Sequence, residues 1–276
     1  MKKSRRGFLA ATTALAATAF TGKSIAAEPR DGRTPMTQKE MEAVIGSAFR
    51  DPRYTCVRTP EVMDGPFYFQ SSPRRRDITE GRKGAKLRLI INVAIASPLG
   101  GTCSPLENSV VDVWQADADG MYSNVGGDVQ NVNTRGAMFM RGHQVAGRDG
   151  RVEFDTVVPG WELVTAPPPL NIAVRATHIH VKVFNDQKVI TTQLYFADEF
   201  LDQLYKEGDP YRTHRQLTVP TLKGRMVDRI RNGDDPVFNM DKSKPLTVER
   251  KGDVLVAEAT IGVATIGNMG TKSLFR

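Results

Sequence analysis

Beyond residue 85 the chain alternates apolar and polar side chains, or runs apolar, over lengths that suit strands. "AKLRLIINVAI" (85–95), "SVVDVWQAD" (109–117), "GRVEFDTVV" (150–158), "HIHVKVF" (178–184) and "VITTQLYF" (189–196) are bounded by Gly, Asp or Pro. Such segments read as half-buried strands closed by turns. Ser97-Pro98-Leu99-Gly100-Gly101 predicts the turn between the first two, and "LTVERKGDVLVAEATIGVA" (246–264) predicts a last pair of strands about Lys251-Gly252-Asp253. Two stretches keep another period. Met41, Val44, Ile45 and Phe49 recur at helical spacing behind Thr37 as cap and Glu40, which predicts an N-terminal helix. Charge on one face of "DEFLDQLYKE" and "LKGRMVDRIRNG" predicts a helical interlude over about 197–232. The sum is a mainly β chain: an antiparallel β-sandwich with peripheral helices and an N-terminal helical arm.

Composition changes the picture first at the N-terminus. The 276 residues carry a formal charge of +7, but Lys2, Lys3, Arg5, Arg6 and Lys23 lie in residues 1–27, which hold no acid, so the remainder carries +2. That is not the balance of a nucleic-acid binder, which needs clustered charge to neutralise phosphates. The run Arg74-Arg75-Arg76 is read first as a solvated loop, with a guide for an anionic ligand as the minority reading. Residues 4–28, "SRRGFLAATTALAATAFTGKSIAAE", have a basic head, an apolar stretch from Phe8 to Phe20 and small residues near Ala27. The apolar stretch is shorter than the roughly 20 residues of a membrane span, so no stable membrane anchor is expected. Ser4-Arg5-Arg6-Gly7-Phe8-Leu9 looks like a twin-arginine export signal. It predicts a signal peptide at 1–27, an arm at 28–50, one domain at 51–276, the twin-arginine machinery as a partner, and a periplasmic or extracellular destination. That route carries folded proteins, often with a cofactor already inserted. Cys56 and Cys103 are the two cysteines, and an even count in an oxidising compartment favours a bridge.

The chemistry gathers in "PGWELVTAPPPLNIAVRATHIH" (159–180), which holds two of the four histidines. Alternate side chains of a strand share a face, so His178 and His180 point the same way and can hold one metal ion from a rigid base. On the pair alone, two surface histidines on an edge strand remain an equal alternative. Further blocks shift the balance: GPFY at 65–68, RRDI at 75–78, VDVWQADADGMY at 111–122, RATHIH at 175–180 and TTQLYF at 191–196. In this order, from about Thr59 to Phe196, the chain resembles the intradiol ring-cleavage dioxygenases. The resemblance implies a non-haem Fe(III) cofactor, a catechol-type phenolic substrate, O2 as co-substrate, and cleavage between the two hydroxyls to a muconate-type diacid. It implies Tyr122, His178 and His180 as metal ligands, Arg175 beside the bound catechol and Gln193 as a supporting glutamine. Fe(III) is a hard cation, and anionic oxygen donors stabilise it over Fe(II).

One position departs from the family. Its second tyrosine ligand, which leaves the metal and acts as base, follows a Pro-Gly-x element; here that place holds Glu162, and no tyrosine lies between Tyr122 and Tyr195. Three arrangements are compatible. Glu162 is the fourth ligand and detachable base; or it faces solvent and leaves iron on Tyr122, His178 and His180, an open metal with altered substrate preference or a different oxidation; or the site binds a metal or phenol without turnover. A carboxyl near pKa 4.3 is a weaker base than a phenol near 10 unless burial raises it. His143 is read as a hydrogen-bonded histidine at a strand end, with a substrate contact as the lesser alternative, and His214 as structural or exposed in a helical segment. Tyr68, Tyr195, Trp114 and Trp161 are read as core and wall, with Trp161 also a candidate to line the substrate pocket. The Pro-rich stretch at 165–170 predicts a reshaped mouth, and the N-terminal helix could pack on a second copy of the chain as easily as on its own.

Overall fold

The computed structural model describes residues 58–264 apart from 97–102, 131, 166–171, 187, 217–223 and 242–243. The signal sequence, the N-terminal helix, Cys56, the 97–101 turn and all but Thr165 of the Pro-rich stretch lie outside the described residues.

Two sheets face one another. The first orders β12 (Val248–Lys251), β13 (Val254–Val263), β1 (Lys86–Ile95) and β2 (Ser104–Pro105), with β5 (Arg151–Val157) also pairing β1. The second orders β4 (Arg141–Val145), β3 (Val110–Trp114), β8 (His178–Asn185) and β9 (Lys188–Tyr195). Leu87, Leu89, Ile91 and Val93 of β1 and Val152 and Phe154 of β5 share one buried cluster with Val111 and Val113 of β3 and Ile179, Val181 and Val183 of β8. The period-two pattern therefore fills the space between the sheets from both sides, as a sandwich requires. The ladders are antiparallel except that β1 runs parallel to β13 from Leu87↔Leu255 to Ile95↔Val263.

Two short pairs flank the sandwich: β6 (Leu163–Thr165) with β7 (Ile172–Val174), and β10 (His214–Gln216) with β11 (Met226–Asp228). The helices are short: α1 (Gly127–Gln130), α2 (Asp198–Lys206) and α3 (Pro236–Asp241). The helical interlude expected at 197–232 is thus correct for α2 and wrong beyond it, since His214 and Met226 lie in paired strands. The charge that suggested a helical face instead ties segments together. Arg229 donates to Asp198 at 2.6 Å and to Asp202 at 2.5 Å, binding the chain after β11 to α2.

Candidate active site

Because Ile179 and Val181 point into the sandwich, His178 and His180 point out of it. Cross-strand register extends that outer face. Arg141 lies opposite Trp114, Trp114 opposite His180, His180 opposite Gln193 and His178 opposite Tyr195. The row is closed over by chain: Phe67, Trp114, Ala116, Tyr122 and Val125 form a second buried cluster on this side, with Tyr68 and Val129 against it. Trp114 stacks on His180 with ring centroids 4.6 Å apart and planes 7° apart, fixing the imidazole plane.

The two imidazoles converge, Nε2 to Nε2, at 2.9 Å. His178 Nδ1 is 2.7 Å from the Ala176 carbonyl, so it carries the proton and leaves Nε2 a lone pair. Gln193 Nε2 lies 3.4 Å from His180 Nδ1, which casts that nitrogen as acceptor. Burial lowers the pKa of His178, and burial followed by the neighbouring His178 lowers that of His180 well below the usual range. Both rings are therefore neutral at pH 7, the state a ligand needs.

Tyr122 comes from the turn after β3 and Glu162 from the loop after β5, and their meeting has a backbone cause. Asp117 Oδ1 accepts the amides of Asp119 and Met121, and the Asp117 carbonyl accepts those of Gly120 and Gly160, both at 2.9 Å. The two loops interlock where neither can carry a side chain: a Cβ on Gly160 would strike the Ala118 carbonyl, and one on Gly120, at φ +77°, the Trp161 carbonyl. The Glu162 carboxylate lies close enough to act on the Tyr122 phenol. Burial, then the charge of Glu162, raise the Tyr122 pKa well above 10, so these surroundings favour the protonated phenol. Glu162 is buried, and its Oε2 has no hydrogen-bond partner.

Arg175 completes the group. Its Nη2 donates to Gln193 Oε1 at 2.8 Å and to the Tyr195 hydroxyl at 3.2 Å, while Nε donates to Asp235 at 2.7 Å. The six residues singled out in the sequence, Tyr122, Glu162, Arg175, His178, His180 and Gln193, thus sit in one neighbourhood. Trp161 does not join them. It is buried in the sandwich core with Nε1 donating to the Arg212 carbonyl at 2.6 Å. His143 bonds to Ser72 as a strand histidine should, and His214 is exposed.

Sequence reasoning passed over two charged residues here. Arg141 is buried and donates to the Ser123 hydroxyl and carbonyl and to the Phe67 carbonyl. Burial brings its pKa down to about 10 against the opposing pull of Tyr122 and Asp112. Its signal was a lone arginine in an apolar run, "FMRG". Asp235 was signalled only by Asp-Pro, a helix-start pattern.

The residues present suit a metal ion. Two donors at right angles, each about 2.1 Å from one ion, lie about 3 Å apart, close to the spacing of the two Nε2 atoms. A buried carboxylate oxygen without a partner and a phenol oxygen in contact with that carboxylate are the hard donors nearby. Among the described residues no three His, Cys, Asp or Glu side chains group closely enough to hold an ion by themselves. A metal here would therefore draw on the Tyr122 oxygen.

Residues 63–217, more than half of the chain, match the family model described as Dioxygenase. The chain belongs to this dioxygenase family. It is 27% identical over 169 residues to a chlorocatechol 1,2-dioxygenase of Rhodococcus opacus, covering 55% of this chain and 58% of that one. It is 26% identical over 217 residues to a catechol 1,2-dioxygenase of Acinetobacter baylyi, covering 74% and 64%. The chain thus spans between half and two-thirds of the length of these curated relatives. A solved intradiol ring-cleavage dioxygenase from Tetranychus urticae superposes with a TM-score of 0.58 over 76% of this chain and 96% of that one, at 23% identity. That likeness establishes the shared sandwich fold, and the relatives' names support the intradiol branch of the family.

Proposed function

We propose that the chain is an exported non-haem iron dioxygenase that opens a catechol-type ring between its two hydroxyls, consuming O2 and releasing a muconate-type diacid. The observation that carries this reading is the meeting of the His178 and His180 Nε2 atoms at 2.9 Å on a buried face, in the neighbourhood of Tyr122, Glu162 and Arg175.

Tyr122, His178 and His180 would hold Fe(III), with Glu162 as the fourth protein donor. Bound Fe(III) would polarise a chelated catechol and make its ring carbons reactive toward O2. The chain's own residues do the rest. Glu162 sits beside the Tyr122 phenol; a nearby cation would reverse the forces that keep that phenol protonated, its proton leaving to solvent as the ion loads, so the carboxylate stays free to act as a base. Glu162 Oε2, free of other partners, is the group that receives a proton from an incoming catechol hydroxyl, the part played by the departing tyrosine in relatives that keep it. Arg175, oriented by Gln193, offers N–H groups to negative charge that grows on the substrate oxygens. Trp114 and Phe67, in the apolar cluster around Tyr122, keep water from the reacting centre.

Export rests on the Ser4–Leu9 pattern. It is supported by Cys103, which is disulfide-bonded, a state that persists in oxidising compartments. The test is ring opening of catechol under 18O2 by the iron-loaded mature protein. Uptake of one O2 per diacid, with both labelled atoms in the product, supports the proposal. Iron loading and catechol binding without oxygen uptake would instead identify a phenol-binding protein of the same fold.

A further inference from the structure

Asp235 is fully buried, and it lies beyond residues 63–217, where the family match ends. Five N–H groups converge on its carboxylate. Oδ2 accepts from Arg175 Nε at 2.7 Å and from the Ala176 amide at 2.8 Å. Oδ1 accepts from Arg175 Nη2 at 3.2 Å and from the amides of Val237 and Phe238 at 2.8 and 3.2 Å. The last two are open amides at the start of α3, with Pro236 in its first position, so Asp235 is the cap of that helix. One carboxylate therefore ties α3 to Arg175-Ala176, which leads directly into His178. The segment that carries it is itself anchored: Asn232 Nδ2 donates to the Phe196 carbonyl at 2.8 Å, at the end of β9.

Nε and Nη2 of Arg175 are engaged by Asp235, Gln193 and Tyr195. The Nη1 corner makes none of these bonds, and the side chain is 19% exposed. We infer that Asp235 is a positioning residue for the reaction: by clamping two corners of the Arg175 guanidinium it fixes which corner faces the substrate. The C-terminal segment around α3 is then a working part of the site. This role rests on the proposed ring cleavage, in which Arg175 meets the substrate. Asp235→Asn isolates it, because Asn caps helices as well as Asp does while its NH2 group must oppose one of the donors that the carboxylate satisfied.

The experiment is a double-mutant cycle in the iron-loaded protein with catechol, reading kcat, KM and anaerobic catechol affinity for wild type, Asp235→Asn, Arg175→Ala and the double variant. Circular dichroism checks the fold of each. Loss of an interaction made only in the transition state lowers kcat and leaves KM. Asp235→Asn is expected to lower kcat about tenfold or more, with KM and catechol affinity within about threefold. On the Arg175→Ala background it should change kcat less than about twofold, because independent effects add and shared ones do not. An Asp235→Asn enzyme within twofold of wild type overturns the inference. So does a loss of equal size on both backgrounds, the mark of a purely structural role. Should the Asn variant fail to fold, Asp235→Ser, which retains a capping oxygen and removes the clamp, runs the same cycle. A folded, iron-loaded wild type that opens no catechol overturns the proposed function itself, before any variant is compared.

Discussion

Gly160→Ala tests whether the meeting of Tyr122 and Glu162 depends on the loop interlock. A methyl group there would lie 2.8 Å from the Ala118 carbonyl carbon, 2.9 Å from the Gly120 nitrogen and nearer still to the Ala118 carbonyl oxygen. All three are backbone atoms, so no rotamer change relieves the clash. The loops can part only by breaking the bond from the Gly160 amide to the Asp117 carbonyl, 2.9 Å long. Overpacking of this kind costs about 1–3 kcal/mol, and the lost hydrogen bond about 0.5–1.5 kcal/mol. Together they amount to about 2–4 kcal/mol, and a domain of this size loses about 2–4 °C of Tm per kcal/mol. Thermal unfolding followed by circular dichroism should show Tm lower by about 5–15 °C. Gly233→Ala is the control, since nothing lies within 4 Å of the added carbon, and its Tm should stay within about 2 °C of wild type. A Gly160→Ala protein equally close to wild type would refute the interlock.

Three further outcomes follow from the same geometry. Cys103→Ser removes the disulfide and should destabilise the mature protein by about 2–5 kcal/mol in chemical denaturation; an unchanged midpoint would show the bridge to be idle. Burial pushes Asp235 up, but the Arg175 contact and the Ala176 and Phe238 amides outweigh it and leave the carboxyl below its ordinary 3.8. Its contribution is therefore complete above about pH 4 and is lost as pH falls through the depressed folded value. Asp235→Asn should flatten that acid limb by up to about 1.4 kcal/mol per pH unit, measured as unfolding free energy against pH; an unaltered slope would contradict the pairing. Glu162→Gln keeps the size of the side chain and removes its basicity, so oxygen uptake with catechol should fall about 10²-fold or more in protein that still loads iron; retained uptake would remove Glu162 from proton transfer.

Much of the sandwich was legible because a strand leaves either a period of two, as in β5, or a short apolar run bounded by turns, as in β1. The parallel ladder between β1 and β13 was not legible. Leu87 and Leu255 are far apart in sequence, and alternation reads the same in either direction. The segment after α2 misled because charge at helical spacing resembles a helix face, whereas Arg229 spends its charge on Asp198 and Asp202. His178 and His180 could be placed on one face from strand geometry alone. Tyr122 entered through its motif, and Glu162 through its position in the Pro-Gly-x element. The contact between Tyr122 and Glu162 was beyond local pattern, since it depends on Gly120 and Gly160 letting two loops approach. Asp235 was passed over, since Asp-Pro is a weak local signal and its grip on Arg175 exists only once the chain has folded.

The central claim is that Tyr122, His178 and His180, with Glu162, hold iron where a catechol can reach it. The most direct measurement is iron content and visible absorption of the mature protein, before and after anaerobic catechol, in wild type and Tyr122→Phe. About one iron per chain, with a tyrosinate-to-Fe(III) band that shifts on catechol addition in wild type and is missing from Tyr122→Phe, is the predicted result. A wild-type protein that takes up no iron, or an iron-loaded protein whose band survives in Tyr122→Phe, would contradict the account.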